Sequence, residues 1–251
     1  MAYKMRDWKK DAPIVECHEP LMRVPDKIVY PYYHRQMNIG RPEMYLRQSV
    51  LEKLLLAAEE LKNKGYQLMA YDGWRPVEVQ EQLYFQYMKI FAIPKFGLQG
   101  YFAHCQSAQS IKEILHSSVI SIDTREALWL AMKSYVSWPC KGPNAPSPHT
   151  TGGSVDVWLH DITSGDPLNM GVSFDWMEEN SGAFYHLKRQ HKKFVDDETV
   201  CQRRTDLILA MVHAGFSCYG PEFWHFNFGN QMDAIVTRET ARYGYIEPPV
   251  T

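Results

Sequence analysis

The chain predicts an α+β fold: a small central antiparallel sheet flanked by helices, in one domain over residues 1–251 with an insertion at about 90–146. Three observations carry that expectation. A length of 251 residues with 45% hydrophobic content is enough to bury one good core. The stretches 43–64, 76–88 and 202–214 repeat apolar residues at helical spacing. Between them, 67–71 and 154–159 read as short strands bounded by turn residues.

Residues 1–41 are rich in Pro and Tyr, with turn signals at Pro13, Pro20, Pro25, Pro31 and Gly40, so an extended lead-in is expected, partly stranded around 27–33. From Pro42 the pattern changes. Met44, Val50, Leu51, Leu54, Leu55, Ala58 and Leu61 recur at helical spacing, and Lys62 to Gly65 read as a cationic last turn and C-cap. Such a stripe is a packing surface rather than a cofactor box. The strand at 67–71 closes on Asp72-Gly73, a turn signal, and Pro76 fits the first turn of a helix running through Val79, Leu83 and Tyr87. Arg75 therefore sits where a strand gives way to a helix.

The stretch 93–100 reads as loop, with two short helices expected near 110–116 and 124–136; Pro139, Pro143, Pro146 and Pro148 then keep helix out. Residues 154–159 alternate, with Val155, Val157 and Leu159 on one face and Ser154, Asp156 and Trp158 on the other, which aims Asp156 away from the apolar side. Residues 160–200 read as a polar loop region. Leu207, Ile208, Met211 and Val212 mark an amphipathic helix ended by Gly215, and 215–228 supplies a turn and an aromatic strand. No internal repeat is visible.

Composition excludes several function classes. The formal net charge is −2 and no basic stripe tracks a phosphate backbone, so nucleic acid is not an expected partner. The first ten residues are charged and lack the apolar core of a secretory signal, and no run approaches the roughly 20 apolar residues of a membrane span. The expected location is cytoplasmic, with a periplasmic one left open. The five cysteines are odd in number and form no C-x-x-C pair, which argues for buried or half-buried thiols rather than a disulfide framework. Of the ten histidines, His18, His34, His104, His116, His160, His186, His191 and His213 take the ordinary reading, structural or exposed.

The other two carry chemistry. Ser147 to Asp156 places His149 and Asp156 seven residues apart across Gly152-Gly153, where the backbone can turn tightly. Glu222 to His225 supplies a second histidine with an acid three residues before it. A hydrolytic zinc centre needs three protein ligands and one open position, where the pKa of bound water falls from about 15.7 towards roughly 7. His149, Asp156 and His225 meet that count, and Arg75 is a candidate neighbouring cation. Glu222 is the natural general base, close to the metal without ligating it. On a regular strand it would face away from His225, so the chain is expected to turn at Pro221-Glu222 and become a strand from about Phe223. Phe223, Trp224 and Phe226 would exclude water and raise the carboxylate's pKa. Glu222-x-x-His225 or Arg75 alone would be a weak signal; the combination is specific.

Ser147-x-His149-x-x-Gly152-x-Ser154-x-Asp156, followed by Glu222-x-Trp224-His225, resembles the zinc D-alanyl-D-alanine peptidases. Asp72-Gly73-Trp74-Arg75-Pro76 and Met170-Gly171-x-x-Phe174-Asp175 narrow the resemblance to the VanX-type D-Ala-D-Ala dipeptidase branch, over roughly residues 28–228. The resemblance implies that His149, Asp156 and His225 bind one zinc ion per chain and that Glu222 is the catalytic base. Arg75 would stabilise the oxyanion, Asp175 would hold the ammonium of the dipeptide, and Ser147 would contact the substrate. The implied reaction is hydrolysis of D-Ala-D-Ala, or a closely related D,D-dipeptide, to free amino acids, acting on a cell-wall precursor. Two alternatives stay open: a D,D- or L,D-carboxypeptidase acting on longer peptidoglycan peptides, and a zinc-holding binding module without turnover, against which the intact Glu222 and Arg75 argue. Three features depart from the pattern: Ser154 stands where Ala is common, the segment between Arg75 and His149 is long, and the Tyr-rich lead-in before Asn38-Ile39-Gly40 matches loosely. Oligomeric state is left open.

Overall fold

The alternating run forms an eight-residue strand, Ser154–Asp161, which lies inside a four-stranded sheet and pairs on both edges. A computed structural model describes residues 12–132, 136–140, 142, 145–187 and 197–247; the charged N-terminal stretch, Pro143 and His191 lie outside the described residues. In chain order the strands are β1 Leu21–Arg23, β2 Tyr45–Arg47, β3 Tyr66–Asp72, β4 Ser154–Asp161, β5 Ser217–Cys218 and β6 His225–Asn227. The helices are α1 Tyr32–Met37, α2 Gln48–Lys62, α3 Val77–Tyr87, α4 Ile93–Lys95, α5 Gln99–Phe102, α6 Ala108–His116, α7 Ile122–Met132, α8 Glu198–His213 and α9 Gln231–Thr237. The chain divides into two units, Met1–Arg75 with Gly142–Thr251, and Pro76–Lys141.

The first unit is the expected α+β arrangement. Its sheet runs β3-β4-β6-β5 with every neighbouring pair antiparallel, and β1 and β2 form a separate antiparallel pair. α2 packs against β3 and α8, and α8 against β4. The helical spacing of Val50, Leu54, Ala57 and Leu61 explains why α2 buries one face, and Leu207, Ala210 and Met211 do the same on α8. Truncating Leu54 or Leu207, both fully buried, to Ala would cost roughly 2–5 kcal/mol. The opposite face of the sheet, shared by Asp156, Trp158 and His160, is covered by aromatic rings. Tyr71 stacks on Tyr30 at 4.7 Å, and Phe174 lies 4.6 Å from Tyr32, 4.9 Å from Tyr71 and 5.5 Å from Trp224.

The second unit is helical. The rings of Trp138 and Tyr84 meet edge to face at 5.0 Å, Lys112 pairs with Glu81, and Leu83, Met88, Ile93, Phe102, Ile111, Leu115, Leu128 and Met132 are buried. Ser107 and Ser110 form a reciprocal cap at the start of α6. No helix among the described residues is long and apolar enough to cross a membrane.

Several local expectations need correction. The lead-in at 27–33 is not strand: Asp26–Ile28 is a short 3-10 turn, Val29 makes one bridge to Ala70, and α1 starts after Pro31, whose ring suits a helix start. The first core helix begins at Gln48 rather than 43, because Tyr45–Arg47 pairs with β1 and so satisfies its backbone across that strand pair. Residues 93–100, expected as loop, carry α4 and the start of α5 after a π-helical turn at Met88–Ala92. α8 starts at Glu198, four residues early, where Asp197 accepts a hydrogen bond from the Val200 N–H. Among the cysteines, Cys17 is exposed and the other four are buried or half-buried.

Candidate metal centre

Sheet register brings the first two residues of the centre together. Asp156 on β4 is directly opposite His225 on β6, and on its other side β3 places Asp72 across a bulge. His149 arrives from a different local structure, the 3-10 turn Pro148–Thr151, which ends at Gly152 with φ +71°. A Cβ there would stand 2.7 Å from Leu21 Cδ2, and one on Gly153 would stand 2.8 Å from the Phe228 carbonyl, so the Gly-Gly pair is required by both conformation and space. Glu222 lies on the expected turn: its N–H donates to the Tyr219 carbonyl and its own carbonyl accepts from His225 N–H. The strand begins at His225, two residues later than expected.

His149 Nε2 lies 3.2 Å from His225 Nδ1 and 3.4 Å from Asp156 Oδ2, and His225 Nδ1 lies 2.9 Å from Asp156 Oδ1. All three residues are buried, and their ligand atoms lie within 4.8 Å of one another, a set able to hold a metal ion. The donor chemistry fits a cation. His149 Nδ1 lies 2.8 Å from the Gly73 carbonyl, which can only accept, so its proton is there and Nε2 presents a lone pair to the Asp156 carboxylate. Two lone-pair atoms in contact need positive charge between them. Burial pulls the His149 imidazole down to about 3, keeping it neutral as a ligand must be; burial also acts against a charged His225, but Asp156, Glu222 and Asn227 together outweigh it and His225 is raised.

Glu222 is half-buried, and burial pushes its carboxyl up to about 8. The charges of His225, Asp156, Asp175 and Arg75 all reach it, the two carboxylates adding to the rise and the two cations opposing it. Arg75 is buried; its Nε donates to Asp72 Oδ2 at 2.9 Å, a second guanidinium nitrogen contacts the same oxygen, and the group stands 5.2 Å from the Tyr33 ring centroid. Its backbone N–H donates to the His149 carbonyl at 3.1 Å, tying the β3 end to the 3-10 turn. Asp175 is buried in the left-handed region at φ +59°, and its charge adds to the rise that burial gives Tyr32 and Glu222. Ser147 is fully buried at the start of the 3-10 turn, where its carbonyl accepts from the Thr150 N–H and hydroxyl.

Other residues at the centre were not singled out by the sequence. Asp72, read as half of a turn signal, is the carboxylate that holds Arg75; Asp-x-x-Arg spacing beside a strand end was the available cue. Gly73 contributes a carbonyl, for which no side-chain signal exists. Asn227, two residues after His225, faces its other ring nitrogen at 3.1 Å. Tyr32 and Tyr33 of α1 belong to the loosely matching lead-in, yet reach Phe174 and Arg75. His160, read as structural, is that: buried, with Nδ1 donating to the Gly165 carbonyl and Nε2 accepting from the Tyr71 hydroxyl at 2.8 Å.

A D-alanyl-D-alanine dipeptidase of Synechocystis sp. is 28% identical over 236 residues, 88% of this chain and 86% of the relative. A D-alanyl-D-alanine dipeptidase of Enterococcus faecium is 25% identical over 177 residues, 70% of this chain and 68% of that one. Among solved structures, the LdcB LD-carboxypeptidase overlays with a TM-score of 0.39 at 16% identity, over 91% of this chain and 77% of that one. The family model Peptidase_M15, described as D-ala-D-ala dipeptidase, matches residues 88–243, and the chain belongs to that family.

Proposed function

We propose that this chain is a zinc-dependent dipeptidase that hydrolyses D-Ala-D-Ala, or a closely related D,D-dipeptide, to free amino acids. The observation that carries the reading is the convergence of His149, Asp156 and His225 within charge range of Glu222, Arg75 and Asp175. The dipeptidase names of its relatives support the substrate class. Zinc is favoured by donor type, two imidazoles and one carboxylate, and by spacing, since tetrahedral ligands about 2.0–2.1 Å from an ion stand roughly 3.3–3.4 Å apart. Contacts of 3.2, 3.4 and 2.9 Å are close to that.

A zinc ion held there supplies Lewis acidity, acidifying water and polarising the scissile carbonyl. The chain's own residues do the rest. Glu222, its carboxyl poised high by burial, accepts a proton from the attacking water and delivers it to the leaving amine. Arg75 stays charged because Asp72 holds it, and it supports negative charge on the carbonyl oxygen. Asp175 binds the free ammonium of the dipeptide, and Ser147 contacts the substrate near His149. The aromatic cluster of Tyr32, Tyr71, Phe174 and Trp224 excludes water beside it. Residues of about 90–146 are read as an insertion within one functional dipeptidase domain; most of that stretch falls in the helical unit Pro76–Lys141.

Metal analysis of the purified chain, coupled to hydrolysis of D-Ala-D-Ala, L-Ala-L-Ala and N-acetyl-D-Ala-D-Ala, tests the reading. Zinc near one per chain with preference for free D-Ala-D-Ala supports it. Preference for the acylated substrate would instead assign a carboxypeptidase, and zinc without turnover a binding module.

A further inference from the structure

We infer that Asn227 is a positioning residue that decides which nitrogen of His225 faces the metal, and that the capping residue of α9 holds Asn227 in that role. Four buried side chains, Ser154, His225, Asn227 and Asn230, form one hydrogen-bonded group. Asn230 caps α9: its Oδ1 accepts from the Asp233 N–H at 3.1 Å. That fixes its amide orientation, so its NH2 points the other way and donates to Ser154 Oγ at 2.8 Å and to Asn227 Oδ1 at 2.9 Å. Having accepted from Asn230, the Ser154 hydroxyl has one proton to give, and gives it to Asn227 Oδ1 at 2.7 Å.

Two donors therefore face the same atom of Asn227, which must be the oxygen; the flipped amide would set NH2 against both. That oxygen also lies 3.1 Å from His225 Nε2, so Nε2 carries the ring proton and donates it. Nδ1 is left bare. It is Nδ1 that lies 2.9 Å from Asp156 and 3.2 Å from His149 Nε2, in the ligand cluster. His149 is held in the opposite sense by Gly73, with Nδ1 protonated and Nε2 bare. The two imidazoles thus present different nitrogens to one point, one set by a backbone carbonyl and the other by a side-chain amide anchored to a helix cap.

This inference rests on the reading of His225 as a metal ligand, and the test separates the two. Two-bond proton–nitrogen correlation spectra of the zinc-loaded, nitrogen-labelled protein read the His225 ring directly; a proton on Nε2 with metal on Nδ1 is the expected result. Zinc affinity is then measured by chelator competition for Asn227→Leu, which removes the acceptor, and Asn227→Asp, which keeps it. Asn227→Leu weakens zinc binding by about 10- to 100-fold, and Asn227→Asp restores it. Unchanged affinity in Asn227→Leu, or a His225 ring ligating through Nε2, overturns the proposal. Should Asn227→Leu fail to fold, the wild-type spectrum decides alone. Should the wild type bind no metal, the metal reading fails by itself, and the Nε2 proton of His225 still reports: a signal protected from exchange in the wild type and lost in Asn227→Leu supports the positioning role, and its absence from the wild type overturns it.

Discussion

The backbone N–H of His225 donates to the carbonyl of Glu222 at 3.4 Å, so a single turn, not a strand, joins the two residues. That turn puts the Glu222 carboxylate within the field of His225, Asp156, Arg75 and Asp175, where burial and like charge hold its proton. Glu222→Gln is expected to lower turnover of D-Ala-D-Ala by roughly 10²–10⁴-fold while leaving metal content unchanged. Wild-type turnover in that variant would remove Glu222 as the base.

The same carboxyl gives the metal-free protein a pH signature. Glu222 is held up to about 8, against an ordinary 4.5, chiefly by burial. Between those values the folded chain keeps a proton that the unfolded chain has released, so this contribution to stability is complete below about 4.5 and is lost as pH rises towards about 8. Thermal melts of the metal-free wild type should fall from pH 5 to pH 8 more steeply than those of Glu222→Gln. Parallel slopes in the two proteins would contradict the assignment.

Metal removal should register as lost stability. With Asp156 set against bare His149 Nε2, a bound cation relieves two facing acceptors and stabilises only the folded chain. A chelator is expected to lower the melting temperature of the loaded wild type, by an amount equivalent to about 2.7 kcal/mol where metal stands at 100 times its Kd. His149→Ala should melt at the same temperature with and without chelator.

Asp175 is tested by substrate choice rather than rate alone. Its buried carboxylate is expected to contribute a charged contact to the substrate ammonium, worth roughly 1.5–3 kcal/mol. Asp175→Ala should therefore narrow the kcat/KM ratio between D-Ala-D-Ala and N-acetyl-D-Ala-D-Ala by about 10- to 100-fold. An unchanged ratio would show that the free amino terminus is selected elsewhere.

Arg204 acts on the same loop from beneath. Fully buried, it donates to the Met170 and Asn180 carbonyls at 2.8 Å each and stands 3.9 Å from the Phe223 ring, so it joins both ends of the Phe174–Asp175 segment to the turn bearing Glu222. Arg204→Met strands two carbonyls and is expected to cost about 2–4 kcal/mol in denaturant unfolding and to raise KM for the dipeptide. Wild-type stability and KM would show that the loop is held without it.

Much of this was legible in the amino-acid order because it is local. Periodicity located α2 and α8, alternation located β4, and Gly152-Gly153 marked the backbone turn that the space around it permits no other residue to make. The ligand types of His149, Asp156 and His225 are chemical and so visible in a one-dimensional string. Local reading fell short where a neighbour in space overrode propensity: Tyr45–Arg47 continues a helical-looking stretch but pairs with β1, and 93–100 contains a proline and two glycines yet is largely helical.

What tertiary structure alone decided is the direction in which each ligand points. The sequence by itself named two histidines and an aspartate; the Gly73 carbonyl and the Asn227 amide select the nitrogen each imidazole offers, and Asp72 aims Arg75. Ser154, at a position where a smaller residue is common in the resembling family, becomes a donor only once β4 lies beside β6. Hydrogen-bond orientation depends on partners remote in the chain, and those partners exist only when the sheet register and the α9 cap have formed.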